Sequence, residues 1–201
     1  ETMRSEFEMS MLGKLSYFLG LQITQAKDGI FICQSKYARE TLKKFGFLDS
    51  KLMATPANTT DKLKMEEMSE KVDQSVFRSM IGSLLYLTAS RPDILQSVCA
   101  GARFQSDPRE CHSKAVKRVL RYVKSTLEYG LWYPRTGGMK LVGFSDADWA
   151  GDLNDRKSTS GGAFLLGGRL VSWHSKKQNC IALSTAEAEF IAAAATVTQT
   201  V

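Results

Sequence analysis

The chain holds 201 residues, with 27 Lys plus Arg against 21 Asp plus Glu and two His, a formal net charge of +6. That length fits one ordinary domain or one domain with part of a second, and 43% apolar with 24% charged residues excludes collagen-like, coiled-coil and wholly disordered chains. No apolar run nears the roughly 20 residues that span a bilayer, and no signal peptide opens the chain, so the sequence reads as intracellular, cytoplasmic or nuclear, with no membrane partner.

Tyr17–Thr24 has the pattern of a strand, Asp28-Gly29 of a hairpin turn, and Ile30–Gln34 of the returning strand. Ser35 is placed to cap a helix through Phe45, stopped by Gly46. Residues 48–74 are polar and poorly periodic, with Thr55-Pro56 extended, and read as a linker. Val76–Ser90 carries apolar residues at 77, 80, 81, 84 and 85, a helical face. Arg91-Pro92 ends it, and Asp93 is a cap for a helix to about Phe104. Asp107-Pro108-Arg109-Glu110 combines cap, first-turn proline and Glu, predicting a helix that runs to Tyr129 with Gly130 as its stop. Its apolar stripe is Val116, Val119, Leu120, Val123 and Leu127.

Pro134–Gly138 marks a boundary between residues 1–138 and 139–201. Beyond it, Lys140–Asp146, Gly162–Leu166 and Leu170–Ser175 read as strands, followed by a helix from Ser184, the opening of an α+β unit. That alanine-rich helical pattern reaches Val201 without a stop signal and the first residue is Glu1, so a fragment of a longer polypeptide is expected.

Charge is uneven along the chain. Residues 1–138 carry 21 basic and 15 acidic side chains, whereas 139–201 carry six of each. Seven basic and two acidic residues fall within Arg103–Lys124. Lys114, Lys117, Arg121 and Lys124 share one helical face with Arg118 beside them, and no acid occurs from 114 to 124. Such a face is either a solvated helix surface or a rail for nucleic-acid phosphates, each cation displacing a counterion. Cys33, Cys99, Cys111 and Cys180 form no CxxC pair, so neither zinc nor disulfides are expected.

Two carboxylates stand where a strand ends and a helix begins, Asp146 in FSDADWAGD and Glu187 in ALSTAEAEF. Carboxylates at one sheet edge gather hard divalent cations, and two such ions clamp the attacking and leaving oxygens of a phosphodiester. Each has a plainer reading. Glu187 follows Ser184 by three residues and fits a capping box, and Asp146, Asp148, Asp152 and Asp155 fit solvated loop acids.

The strings FSDADWAG, RKSTSGG, VSWHSKKQ and ALSTAEAEF closely resemble the start of the ribonuclease H domain of copia-type retrotransposon polyproteins. LGKLSYFLGLQI, QSKYARETLKKFGF, FRSMIGSLLYLTASRPDI and AVKRVLRYVKSTLEYGLWYP resemble the same polyprotein's reverse transcriptase, from late palm through thumb and linking helices. The resemblance covers essentially the whole chain in order. It implies a β-hairpin and helical thumb region over 1–138, then the N-terminal part of a ribonuclease H-like unit over 139–201. It implies RNA-directed DNA synthesis and hydrolysis of the RNA strand of RNA–DNA hybrids, with Mg²⁺, or Mn²⁺, held by Asp146 and Glu187. The implied partners are an RNA–DNA hybrid or primer–template and the remainder of the Pol polyprotein.

The departures are specific. No Tyr-x-Asp-Asp motif occurs, and only two of the four ribonuclease H carboxylates are present. The expectation is therefore a polyprotein fragment inactive as an isolated chain, its status as an enzyme open. The alternatives are a residual nucleic-acid-binding module built on residues 76–129, and a nuclease that borrows its missing acids from elsewhere.

Overall fold

A computed structural model describes residues 14–58, 63–65 and 68–200. Leu12 and Gly13 of the LGKLSYFLGLQI motif, and the chain-end residues Glu1 and Val201, lie outside that set. The single strand expected over Tyr17–Thr24 is two, Tyr17–Phe18 (β1) and Leu21–Gln25 (β2). Leu19 and Gly20 between them take positive φ of 47° and 77°, which turns the chain back on itself. Glycine reaches that region without a Cβ clash. Gly29–Cys33 (β3) returns antiparallel to β2 from the expected turn.

Ser35–Lys44 (α1) buries Ala38, Thr41 and Leu42 and ends at Gly46, whose φ of 74° makes it the expected stop. Ser35 is its first residue rather than its cap, and its hydroxyl donates to Cys33 Sγ at 3.3 Å. Gln74–Leu87 (α2) is capped by Asp73, whose carboxylate accepts from Val76 N–H at 2.8 Å. Its apolar face is sunk in the core at Phe77, Met80, Ile81, Leu84 and Leu87, the spacing of one helical side. After a short 3-10 turn at Pro92–Ile94 comes Leu95–Ala102 (α3), and then Glu110–Ser125 (α4).

α4 is shorter at both ends than its sequence pattern predicts. Asp107 cannot cap it, because its carboxylate is taken by Arg109 at 2.6 Å. His112 Nδ1 accepts from Arg109 N–H at 3.1 Å instead, while its ring stacks on Phe104 at 3.8 Å. At the far end Thr126 closes the helix, its hydroxyl donating to Tyr122 O at 2.8 Å. Gly130 is no stop; it opens Gly130–Pro134 (β4), which pairs with β3 to complete a sheet of order β1-β2-β3-β4. α1 through α4 enclose a common hydrophobic core that includes Leu42, Phe77, Ile81, Leu84, Val98, Val116 and Leu120.

Leu141–Ala147 (β5), Thr159–Leu166 (β6) and Arg169–Lys177 (β7) form a second antiparallel sheet, and Thr185–Thr200 (α5) packs across β5 and β6. Polar contacts join this unit to the first: Trp173 Nε1 donates to Thr88 O at 3.2 Å, just past α2, and Arg169 Nε donates to Pro134 O at 2.8 Å, at the end of β4. The fold is mixed α+β, with five helices and two antiparallel sheets among the described residues. No helix among them is long and apolar enough to cross a membrane.

Candidate nucleic-acid interface and carboxylate site

α4 presents its cations on the side opposite the buried stripe of Val116, Val119, Leu120 and Val123, because those positions repeat every three or four residues. The cations do not all face open solvent. Phe47 and the first part of the 48–74 stretch read from sequence as a linker lie along this face. Arg118 donates to Thr55 O at 3.2 Å and to Thr55 Oγ1 at 2.8 Å, and Lys124 donates to Ser50 O at 2.5 Å. Ser125 Oγ donates to Met53 O at 2.6 Å, and the Arg121 guanidinium sits over the Phe47 ring at 5.7 Å. Arg118 and Lys124 are therefore used inside the molecule, to satisfy the carbonyls of a segment with no ladder of its own. Lys114 is exposed, and Lys117 and Arg121 are half-buried. Among the described residues none of these three side chains makes a hydrogen bond or ion pair, although Arg121 lies over Phe47.

The two predicted carboxylates have different surroundings. Asp146 pairs in register with Gly161 on β6 and is exposed. Gly143 of the same strand lies under Thr196 of α5, so strand alternation turns Asp146 and Phe144 to the other face of the sheet. There Asp146 borders a cleft of about 390 Å³ whose walls include Pro92, Leu95, Gln96 and Trp173. Glu187 is engaged at the start of α5. Its N–H donates to Ser184 Oγ at 3.1 Å and its Oε2 accepts from Leu183 N–H at 2.6 Å, a variant of the expected box in which the Glu side chain reaches the residue before Ser184.

Neighbouring acids are committed as well. Asp148 Oδ1 accepts from Thr159 N–H at 2.6 Å, and Glu189 Oε1 accepts from Ala147 N–H at 3.3 Å. No group of three or more His, Cys, Asp or Glu among the described residues is arranged to hold a metal ion. With Glu187, Asp148 and Glu189 engaged by backbone N–H groups, the acids described at this site do not fit a divalent pair.

Asp152 is the acid whose environment the sequence conceals. It is 5% exposed, not a solvated loop acid, and Arg103 at 3.3 Å and Lys177 at 2.7 Å both pair with its Oδ2. Lys177 also reaches Asp155 at 2.7 Å, and Arg103 donates to Thr159 Oγ1 at 2.9 Å. Burial pushes the Asp152 carboxyl up, but the Lys177 hydrogen bond, the Asn154 N–H and the two positive charges outweigh it and hold the group at about 2. Arg103, counted by sequence with the basic stretch, serves this internal cluster. Only the loop pattern DLNDRK hinted at it, since Asp and Asn there favour local turns.

Comparison with known proteins gives one consistent direction. The family model for reverse transcriptase (RNA-dependent DNA polymerase) matches residues 1–59. An uncharacterized mitochondrial protein of Arabidopsis thaliana is 40% identical over 193 residues, covering 96% of this chain and 80% of that protein. The retrovirus-related Pol polyproteins from transposon RE2 of Arabidopsis thaliana and from transposon TNT 1-94 of Nicotiana tabacum are 34% and 36% identical, each over 94% of this chain. This chain spans 13% and 15% of those two polyproteins. No solved structure matches it.

Proposed function

Because this chain belongs to the copia-type retrotransposon Pol polyprotein family, in the C-terminal part of the reverse transcriptase region, we propose that it grips nucleic acid and does not cut it. Residues 1–138 serve as late palm, thumb and linking helices, and residues 139–201 as the beginning of a ribonuclease H-like unit. The ligand is an RNA–DNA hybrid or primer–template. The observation that supports this reading is the run from 114 to 124 of cations without an acid, of which Lys114, Lys117 and Arg121, unlike Arg118 and Lys124, donate to no carbonyl among the described residues.

The family implies a divalent metal. In this chain Glu187 caps its own helix and Asp146 faces the cleft, so no step through a metal is derived. Asp146 and Glu187 are proposed as metal ligands only for a longer polyprotein that supplies further carboxylates.

The test is binding of a labelled RNA–DNA hybrid at graded salt. Changing Lys114, Lys117 and Arg121 together to Ala is expected to weaken binding and to flatten the salt slope by about 0.9 for each phosphate left without its cation. Unchanged affinity and slope overturn the reading. In Mg²⁺ or Mn²⁺ the chain is expected to leave the RNA strand intact, with Asp146→Asn indistinguishable; cleavage abolished by that change makes the chain a nuclease.

A further inference from the structure

A second cationic surface lies well outside α4, where the tip of the β2–β3 hairpin, the end of β4 and the start of β7 meet. A cavity of about 670 Å³ there is lined by Lys14, Lys27, Arg135 and Arg169, with Gln25 and Tyr133 among its other walls and no carboxylate among the described residues. These cations come from four separate places in the sequence, so no local run of charge announces them. The geometry that gathers them is specific. β3 pairs with β4 from Gly29↔Pro134 onward, and Arg135 N–H donates to Asp28 O at 2.7 Å, which sets Arg135 beside the hairpin tip and Lys27. Arg169 is fixed from the other unit by its Nε bond to Pro134 O at 2.8 Å, which occupies one corner of the guanidinium.

We propose that this cavity is a binding site for a phosphate group. Four cations held around one concave space repel one another, and an anion placed among them removes that repulsion. A guanidinium presents parallel N–H donors that match two phosphate oxygens, and lysine adds compact charge. Tyr133, whose phenol is pushed up by burial, is among the lining residues. Asp28, the nearest acid in sequence, is not among the lining residues. The phosphate belongs to a nucleic-acid backbone; free inorganic phosphate is the other source of the same chemistry. The proposal extends the nucleic-acid reading but uses none of the α4 residues.

The experiment uses the full chain and the double variant Lys27→Gln/Arg135→Gln, in which two exposed side chains change and Arg169 keeps its structural bond. Labelled RNA–DNA hybrid is titrated at graded salt, and inorganic phosphate is tested separately by its effect on the thermal midpoint. Weaker hybrid binding, with a salt slope shallower by about 1.8, identifies a backbone site. Unchanged hybrid binding, with a phosphate-induced rise in midpoint present in the parent and absent from the variant, identifies a free-phosphate site. If neither signal depends on Lys27 and Arg135, the proposal is overturned. The α4 variant runs in parallel: its loss of binding, with the cavity variant unaffected in both the hybrid and the phosphate assays, rejects the cavity alone, and the reverse rejects the α4 reading alone. Should the double variant melt early, Lys27→Met and Arg135→Met are read singly, and either one lowering the slope by about 0.9 supports the site.

Discussion

Asp152 is almost sealed from solvent, yet it stays ionised because Lys177 and Arg103 both face one of its oxygens. A carboxyl held at about 2 in the folded chain, against an ordinary value of 3.8, binds its proton more weakly folded than unfolded. The stability it contributes is therefore fully present above about pH 4 and lost as pH falls through 2, an effect of about 2 kcal/mol. Urea unfolding of Asp152→Asn and the parent at pH 6 is expected to show that gap, and the gap should narrow steadily towards pH 2. A constant gap would mean that the variant loses packing and not charge. Arg91 is held with comparable completeness. It is 2% exposed, bonds both oxygens of Asp93 at 2.9 and 2.7 Å, and donates to Thr126 O and Oγ1 at 2.9 and 2.6 Å. That is why Asp93 does not cap the following helix, as its position suggests. Its carboxylate already serves a buried guanidinium and the Tyr122 hydroxyl at 2.9 Å.

At the level of elements, α4 and α5 each give a polar residue a structural duty that a residue-type reading assigns to ligands. On α4, Arg118 and Lys124 pin residues 50–55, so changing both to Ala is expected to raise amide exchange across 47–57 while the helix itself stays protected. Unaltered exchange in that segment would show these hydrogen bonds to be incidental. On α5, Glu187 closes the first turn through Leu183 N–H. Glu187→Ala is expected to cost about 1 kcal/mol and to fray the helix start, measurable as reduced protection at residues 185–189. Glu187→Gln, which keeps an acceptor, should recover most of it.

Across the whole molecule, the two units are linked by charge and hydrogen bonds as well as by the chain. Arg103 crosses to Asp152 and Thr159, Trp173 to Thr88, and Arg169 to Pro134. A shared interface of this kind couples unfolding, so calorimetry is expected to give a single transition, with Arg103→Ala moving the second unit's melting ahead of the first. Two well-separated transitions in the parent chain would contradict that coupling.

Local pattern located α2, the buried stripe of α4, the strands of the second sheet and the Gly46 stop, because each depends on side-chain spacing within a few turns or on one residue's φ preference. The motif strings carried the family assignment for the same reason: they are local and ordered. What they left undecided was pairing at a distance. β4 is invisible without β3, since a short strand is defined by the partner that accepts its hydrogen bonds. Whether Arg118 meets a phosphate or Thr55, and whether Asp152 meets water or Arg103, also depends on a neighbour far along the chain. Charge and polarity are written in the sequence. The group that satisfies each charge is chosen only when the tertiary fold brings distant segments within hydrogen-bond reach, and that choice separates internal supports from the cations still free to bind.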